Sequence, residues 1–416
     1  MTKLPTGWYE EPLNKFVDAR SGNGKLIKGK QSVTKSEGLF PAFSASGQDI
    51  WTEKAEVSGP GIVVSAVGAR CGKSFLTDGN WTAVANTHIL QIKKDAQLDI
   101  KYLWYLCNDE NWWIRSGTAQ PFVKVKDTLE RPQLLPPIHV QYKIVEILED
   151  HLSRLDAALA DVKQAKIKAA QFRRSLLQAA FTRDLNGDGT RLMVELPVGW
   201  EVKRLGDCLE QLKSGKKAER GWSPQCLSNP SPDENVWGVL KTTAVQMGRY
   251  EPEHNKQLPE TLKPKVRLEV IAGDFLVTTT GPRNRCGVVC HVRETRKKLI
   301  FSGKILRFRA DEDIVLSNWL MYLLMSPDYQ ATFDELKVGT SDSSVSIGNQ
   351  QILDLQIPVP PLAEQQQIVE ILESNLSRLD ASVAIADEME KHSSSLRRSL
   401  LQAAFTGQLT KEVANV

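Results

Sequence analysis

The segment PPIHVQYKIVEILEDHLSRLDAALADVKQAKIKAAQFRRSLLQAAFTRDL, residues 136–185, returns 224 positions later as PPLAEQQQIVEILESNLSRLDASVAIADEMEKHSSSLRRSLLQAAFTGQL, with 27 of 50 positions identical. Its longest unbroken match is RRSLLQAAFT, at Arg173–Thr182 and again at Arg397–Thr406. A shorter echo precedes each copy: LPTGW at Leu4–Trp8 and LPVGW at Leu196–Trp200. A repeat of this period decides the architecture before any local motif does. It predicts a pseudo-two-fold molecule in which near-identical scaffolds alternate with dissimilar regions.

Both repeated segments read as long helices. From Gln141 to Phe181 there is neither Gly nor Pro, and apolar residues recur in alternating steps of four and three. One row is Leu148, Leu155, Val162, Ala169 and Leu176; the companion row is Ile144, His151, Ala158, Ala165, Phe172 and Ala179. The second copy places Leu372, Leu379, Ala386 and Leu400 on the first of these rows. That is a narrow, partly alanine-filled heptad seam suited to a second helix at close range. Pro136 and Pro137 mark the start, and Gly187 with Gly189 mark the end. Such a helix would be roughly 60 Å long. The two copies pair with each other or zip to another chain, with His151, Asn375 and Ser393 expected to help fix register.

The regions between the helices, residues 4–135 and 196–357, read as α/β with short strands and Gly-rich turns. GIVVSAVGARCGK (Gly61–Lys73) is a strand followed by a basic loop, and GDFLVTTTGPRNRCG (Gly273–Gly287) is its counterpart. A short amphipathic helix follows in each, around Ile100–Trp113 and Ser317–Phe333. The second region is longer by 32 residues (224 − 192), mainly around Ser228–Lys265. Trp8, Trp104, Trp112, Trp200 and Trp319 are expected in the core.

Bulk charge does not identify a partner. The net charge is +3, and residues 1–135 hold 17 Lys/Arg against 14 Asp/Glu, residues 191–357 hold 23 against 21. Any nucleic-acid contact must rest on local clusters. The first region offers Lys25, Lys28 and Lys30, then Arg70 and Lys73; the second offers Lys213, Lys216, Lys217 and Arg220, then Arg283, Asn284 and Arg285. Lysine and arginine beside glycine can approach phosphates, and Arg or Asn can bond base edges in pairs. The plainer reading of each cluster is a solvated surface; their parallel placement in both halves favours DNA.

Catalytic motifs fail one by one. VGARCGKS (Val67–Ser74) lacks the first glycine of a phosphate loop and no helix follows it. Pro327-Asp328 with Glu335 and Lys337 imitates a nuclease motif, but on a helix face rather than around an ion. Cys286, Cys290 and His291 lack the companion ligands of a zinc site. Six cysteines without CxxC pairs fit a reducing compartment. No apolar run reaches membrane-spanning length, and the N-terminus has no apolar signal segment, so a cytoplasmic chain is expected.

The LPxGW openers, the strand-plus-basic-loop regions and the duplicated PP…Q…IVEILE…LSRLDA…RRSLLQAAFT helices together closely resemble the specificity subunit of type I DNA restriction–modification systems, over essentially the whole chain. The resemblance implies two α/β (α+β) target-recognition domains, 1–135 and 191–357. Two long antiparallel, coiled-coil-like helical spacers, 136–190 and 358–416, join them. Each domain would read one half of a bipartite, asymmetric duplex target, and the helices would set the distance between halves. It further implies docking of two modification subunits that methylate adenine, to which restriction subunits can add the nuclease, in a bacterium or archaeon. S-adenosylmethionine, ATP and Mg would belong to those partners, with no cofactor or metal in this chain. The repeated ends supply candidate docking residues: Arg173, Arg174 and Phe181, and Arg397, Arg398 and Phe405. The rival reading is a non-catalytic helical adaptor whose variable regions bind protein.

Overall fold

The computed structural model describes residues 7–181 and 198–411. The start of each opener (Leu4–Thr6; Leu196 and Pro197), Thr182, and the stop glycines Gly187 and Gly189 lie outside the described residues. The chain forms two compact units, Met1–Lys163 with Asp387–Val416, and Gln164–Ala386. The long helices run Ile138–Phe181 and Leu362–Phe405, 44 residues each, about 66 Å at the standard rise. Each unit therefore contains the first part of one long helix and the last part of the other.

In the first unit, the apolar run Ile62–Val64 is β-branched and fully buried, as a central strand requires. Its strand, Gly61–Ser65, pairs antiparallel with Thr87–Ile92 on one side and Ser74–Thr77 on the other; Val17–Ser21 closes the sheet beside Thr87–Ile92. A second sheet has Phe40–Ser44 antiparallel to Gly47–Thr52 and parallel to Asn80–Ala83, with Val57–Ser58 at the edge. The opener strand Tyr9–Pro12 pairs with Pro132–Leu135, tying the region's start to the root of the first long helix.

The second unit repeats this plan. Its main sheet runs Ala218–Arg220, Ile305–Phe308, Phe275–Thr278, Val289–His291. Its second sheet has Gly238–Leu240 antiparallel to Asn255–Gln257 and parallel to Leu299–Phe301. Glu201–Arg204 pairs with Gln356–Val359 as the opener does in the first unit. A charged cluster lies inside: Arg307 bridges Glu219 and Asp274, all nearly inaccessible, and Arg309 and Arg267 complete it from the rim. Leaving one buried member unpaired would cost more than the intact network contributes.

The short amphipathic helices are more broken than their sequence pattern suggests. The first stops at Cys107, with Asn108 as its cap; the second splits into Ser317–Met325 and Pro327–Glu335. Pro327 cannot continue a helix but suits the first turn of a new one. Trp8 and Trp319 are buried as expected, whereas Trp104, Trp112 and Trp200 are half-buried.

Each long helix is bolted to its recognition region by a buried glutamine at its first turn. Gln141 accepts from the Asp99 N–H (2.8 Å) and donates to the carbonyls of Gln97 (3.2 Å) and Pro136 (2.9 Å). Gln365, its repeat equivalent, accepts from Leu316 N–H (2.8 Å) and donates to Ile314 (3.1 Å) and Pro360 (2.8 Å). In both cases the bonded N–H sits at the N-cap of the short helix, where no helical carbonyl is available.

Within each unit the two long helices pack side by side, but the seam corrects the sequence reading. The row Leu148, Leu155, Val162, Ala169, Leu176 faces inward. The companion row is exposed after Ile144: His151, Ala158, Ala165, Phe172 and Ala179 all face solvent. Its place is taken by the row one residue on, Leu152, Leu159, Lys166, Arg173 and Ala180. Of the polar residues expected at the seam, Ser393 is buried, whereas His151 is exposed and Asn375 bonds the Ile371 carbonyl of its own helix. Arg397 bonds Asp156 in the first unit and Arg173 bonds Asp380 in the second, and the repeat offset relates one pair to the other. In the first unit Ala404 packs in the same core as Ile144 and Leu148 while Arg397 meets Asp156, so the paired segments run antiparallel.

Candidate nucleic-acid interface

In the first unit the predicted basic residues occupy two loops. Lys25 and Lys30 are exposed, and Lys28 pairs with Asp49 beside Ser46. The segment is drawn against the sheet at Gly22, whose Cβ position lies 2.4 Å from the Val84 carbonyl oxygen, so only glycine allows this approach. Arg70 projects from the loop after Gly61–Ser65, anchored by Gly68 N–H to the Pro121 carbonyl and Gly72 N–H to the Ser65 carbonyl, both 2.8 Å. Gly72 has φ +94° and a Cβ there would meet Trp113 at 2.8 Å, which excludes a side chain twice over. Lys73 folds back, its ammonium 5.3 Å from the centre of the Phe75 ring.

In the second unit several predicted cations have intramolecular work. Lys217 bonds the Leu209 carbonyl. Arg220 bonds Asn349 Oδ1 (2.6 Å) and the Ile347 carbonyl (3.0 Å). Arg283 is held between Asp342 (2.9 Å) and Asp334 (3.3 Å). Arg285 donates to the carbonyls of Thr242 and Val245, each 2.8 Å, and to Gln246 Oε1 at 2.9 Å. These guanidiniums build the turn, and Asn284 at its tip is exposed. Lys213 and Lys216 are also exposed.

Sequence reasoning missed a cleft of about 420 Å³ on this unit, lined by Lys241, Lys256 and Lys304 with Ser223, Thr242, Thr243 and Ser302, and by no carboxylate. The parallel strands Gly238–Leu240 and Leu299–Phe301 end together, which delivers Lys241 and Ser302 to one edge. Lys256 comes from the antiparallel neighbour and Lys304 from the turn beyond Phe301. Ser223 closes the floor by accepting the Gly303 N–H at 2.9 Å. Gly221 permits that approach, since its Cβ position lies 2.0 Å from the Phe301 carbonyl oxygen. The three lysines span 64 positions of sequence (304 − 241 + 1), so no local pattern could have announced them.

The docking candidates divide. Phe181 packs edge-on against Trp319 (4.8 Å) in the second unit, and Phe405 against Tyr102 (5.4 Å) in the first. These rings serve the core. Arg173 and Arg397 make the interhelical ion pairs described above, while Arg174 and Arg398 face solvent. Phe172 and Leu396, related by the repeat, are 53% and 58% exposed. In the first unit Leu396 borders an apolar groove of about 530 Å³ with Leu155, Leu159 and Met389.

Lys337 pairs with Asp334 and bonds the Arg283 carbonyl, and Asp328 sits in the first turn of a helix. Among the described residues, the His, Cys, Asp and Glu groups that converge closely enough to hold a metal are Glu251, Glu253 and His254; Cys286, Cys290 and His291 do not form such a group. No helix among the described residues is long and apolar enough to cross a membrane.

Residues 197–390 match the type I restriction modification DNA specificity domain. The chain is 39% identical over 182 residues to the specificity subunit of the type I restriction enzyme EcoEI from Escherichia coli, an alignment covering 43% of this chain and 29% of that protein. Against the MjaVIII specificity subunit of Methanocaldococcus jannaschii it is 23% identical, covering 98% of this chain and 94% of the relative. The fold matches a chain from a type I R-M system, solved for its complex assembly and conformational transition, with a TM-score of 0.70 at 18% identity over 97% and 99% of the two chains. The HsdS subunit of Thermoanaerobacter tengcongensis superimposes with a TM-score of 0.57 at 18% identity, over 97% of this chain and 98% of that one. Nothing among these relatives favours the protein-binding adaptor.

Proposed function

Since the chain belongs to the DNA specificity subunits of type I restriction–modification systems, which recognise DNA and perform no catalysis, we propose that its two recognition regions each read one half of a bipartite, asymmetric duplex site. The observation that carries this reading is one strand plan used twice with different basic surfaces. A shared scaffold with unlike exposed loops is what two readers of different half-sites need, because bases are distinguished by a few groove-facing side chains. The first region would use Lys25, Lys30 and Arg70; the second Lys213, Lys216 and Asn284. Residues 1–135 and 191–357 act as the recognition domains, and the helical segments 136–190 and 358–416 fix the gap between half-sites.

Two modification subunits dock on the repeated helix ends, through Arg174 and Phe172 on one helix and Arg398 and Leu396 on the other. Restriction subunits join the same assembly. S-adenosylmethionine, ATP and Mg are bound by these partners, and the complex works in a bacterial or archaeal cytoplasm. Methylome sequencing of a host expressing this chain with its modification subunit tests the reading. The expected product is methyladenine in a motif of two specified blocks separated by an unspecified gap. A continuous, ungapped motif overturns it.

A further inference from the structure

We infer that the lysine cleft of the second unit grips a backbone phosphate of duplex DNA, and that Arg285 couples this grip to the base-reading tip at Asn284. The inference rests on the DNA-recognition reading and deepens it by separating positioning groups from reading groups. The cleft is lined by three lysines and several hydroxyl-bearing side chains and by no carboxylate, a composition that suits a phosphate. Lys241, Lys256 and Lys304 form no ion pair among the described residues, unlike Lys28, Arg283 or Lys337 of the same surface class. Three lysines without ion pairs on one concave surface give it a positive potential, which attracts an anion. Phosphate contacts of this kind fix register without carrying sequence information.

Arg285 supplies the link. Its guanidinium, lodged on the carbonyls of Thr242 and Val245, joins the 283–285 turn to the segment that forms one wall of the cleft. Asn284 therefore stands at a fixed offset from the seat. Arg285 is a positioning residue, and only Asn284 of that triplet is presented for base contact.

The test uses the complete complex of this chain with its modification subunit. Anisotropy titrations compare a duplex carrying the methylated motif with a random-sequence duplex between 50 and 200 mM salt. Substituting Lys241→Gln, Lys256→Gln and Lys304→Gln together should weaken both duplexes and flatten the slope of log K against log salt by about 0.9 for each phosphate no longer neutralised. The methylated motif should stay the same. Separately, Arg285→Ala should leave random-duplex binding and its salt slope near the parent value while reducing discrimination against changes in the second half-site. Unchanged affinity and slope in the triple variant would overturn the phosphate seat, and an altered motif would show the lysines to be base readers. Loss of random-duplex binding in Arg285→Ala equal to that of the triple variant would overturn the coupling. Failure of the underlying reading looks different: the unsubstituted complex would itself show no salt-dependent duplex binding.

Discussion

Replacing Gln141 with methionine keeps the length of the side chain and removes its hydrogen bonds, so it isolates what anchors the first recognition region to its helix. The glutamine is inaccessible to solvent and makes three bonds. Its loss strands the Asp99 N–H and the carbonyls of Gln97 and Pro136. With about 1 kcal/mol net per bond, and about 1–3 kcal/mol for a buried group left unsatisfied, the loss comes to about 3–5 kcal/mol. A chain with two units need not unfold in one step, so the readout must be local. Hydrogen exchange resolved by peptide supplies it. The helix Ile100–Cys107 should exchange at least about a hundredfold faster, while Ser317–Met325 keeps its protection. Gln365→Met should give the mirror result. Uniform acceleration in both helices, or a change under tenfold in the targeted one, would refute the reasoning.

Adding or removing four residues within Gln141–Phe181 should change the length of the gap in the methylated motif and leave the specified bases alone; methylome sequencing reads both. Burial, joined by the nearby Arg293 charge, lowers the His291 pKa, and burial alone lowers that of His88. The unfolded chain then binds more protons below the ordinary value of about 6.5, so stability is full above that pH and falls as acid is added. His291→Phe, which keeps the stack on Phe275, should flatten this acid limb in urea melts taken from pH 8 to 5. Native thiol titration should find one fast cysteine, Cys226. The other five are buried, and burial pushes the Cys107 and Cys290 thiols up to about 12. Because Cys226 lines the lysine cleft, cognate duplex should slow its labelling.

What sequence could reveal was what repeats or recurs locally. The helix starts after Pro137 and Pro361, the paired scaffolds and the buried row through Leu148 and Val162 followed from periodicity. The second row did not, because alanines and His151 satisfy two registers equally, and the choice went to Leu152 and Leu159 with their ion-paired neighbours. Phe181 and Phe405 stood among the docking candidates because their partners, Trp319 and Tyr102, lie far away in sequence. The same distance hid the lysine cleft, and it hid that Arg283 and Arg285 spend their charge on Asp334, Asp342 and main-chain carbonyls.

The exchange of helix ends between units has a consequence for synthesis on the ribosome. Phe181 is made 138 residues before Trp319, so the second unit can close soon after its own strands emerge. Tyr102 must wait 303 residues for Phe405. The half translated first is thus completed after the second, and its apolar helix face stays open while the second unit is made. Termination between Ala386 and Phe405 would leave that earlier half unsealed, while the later half could already be whole.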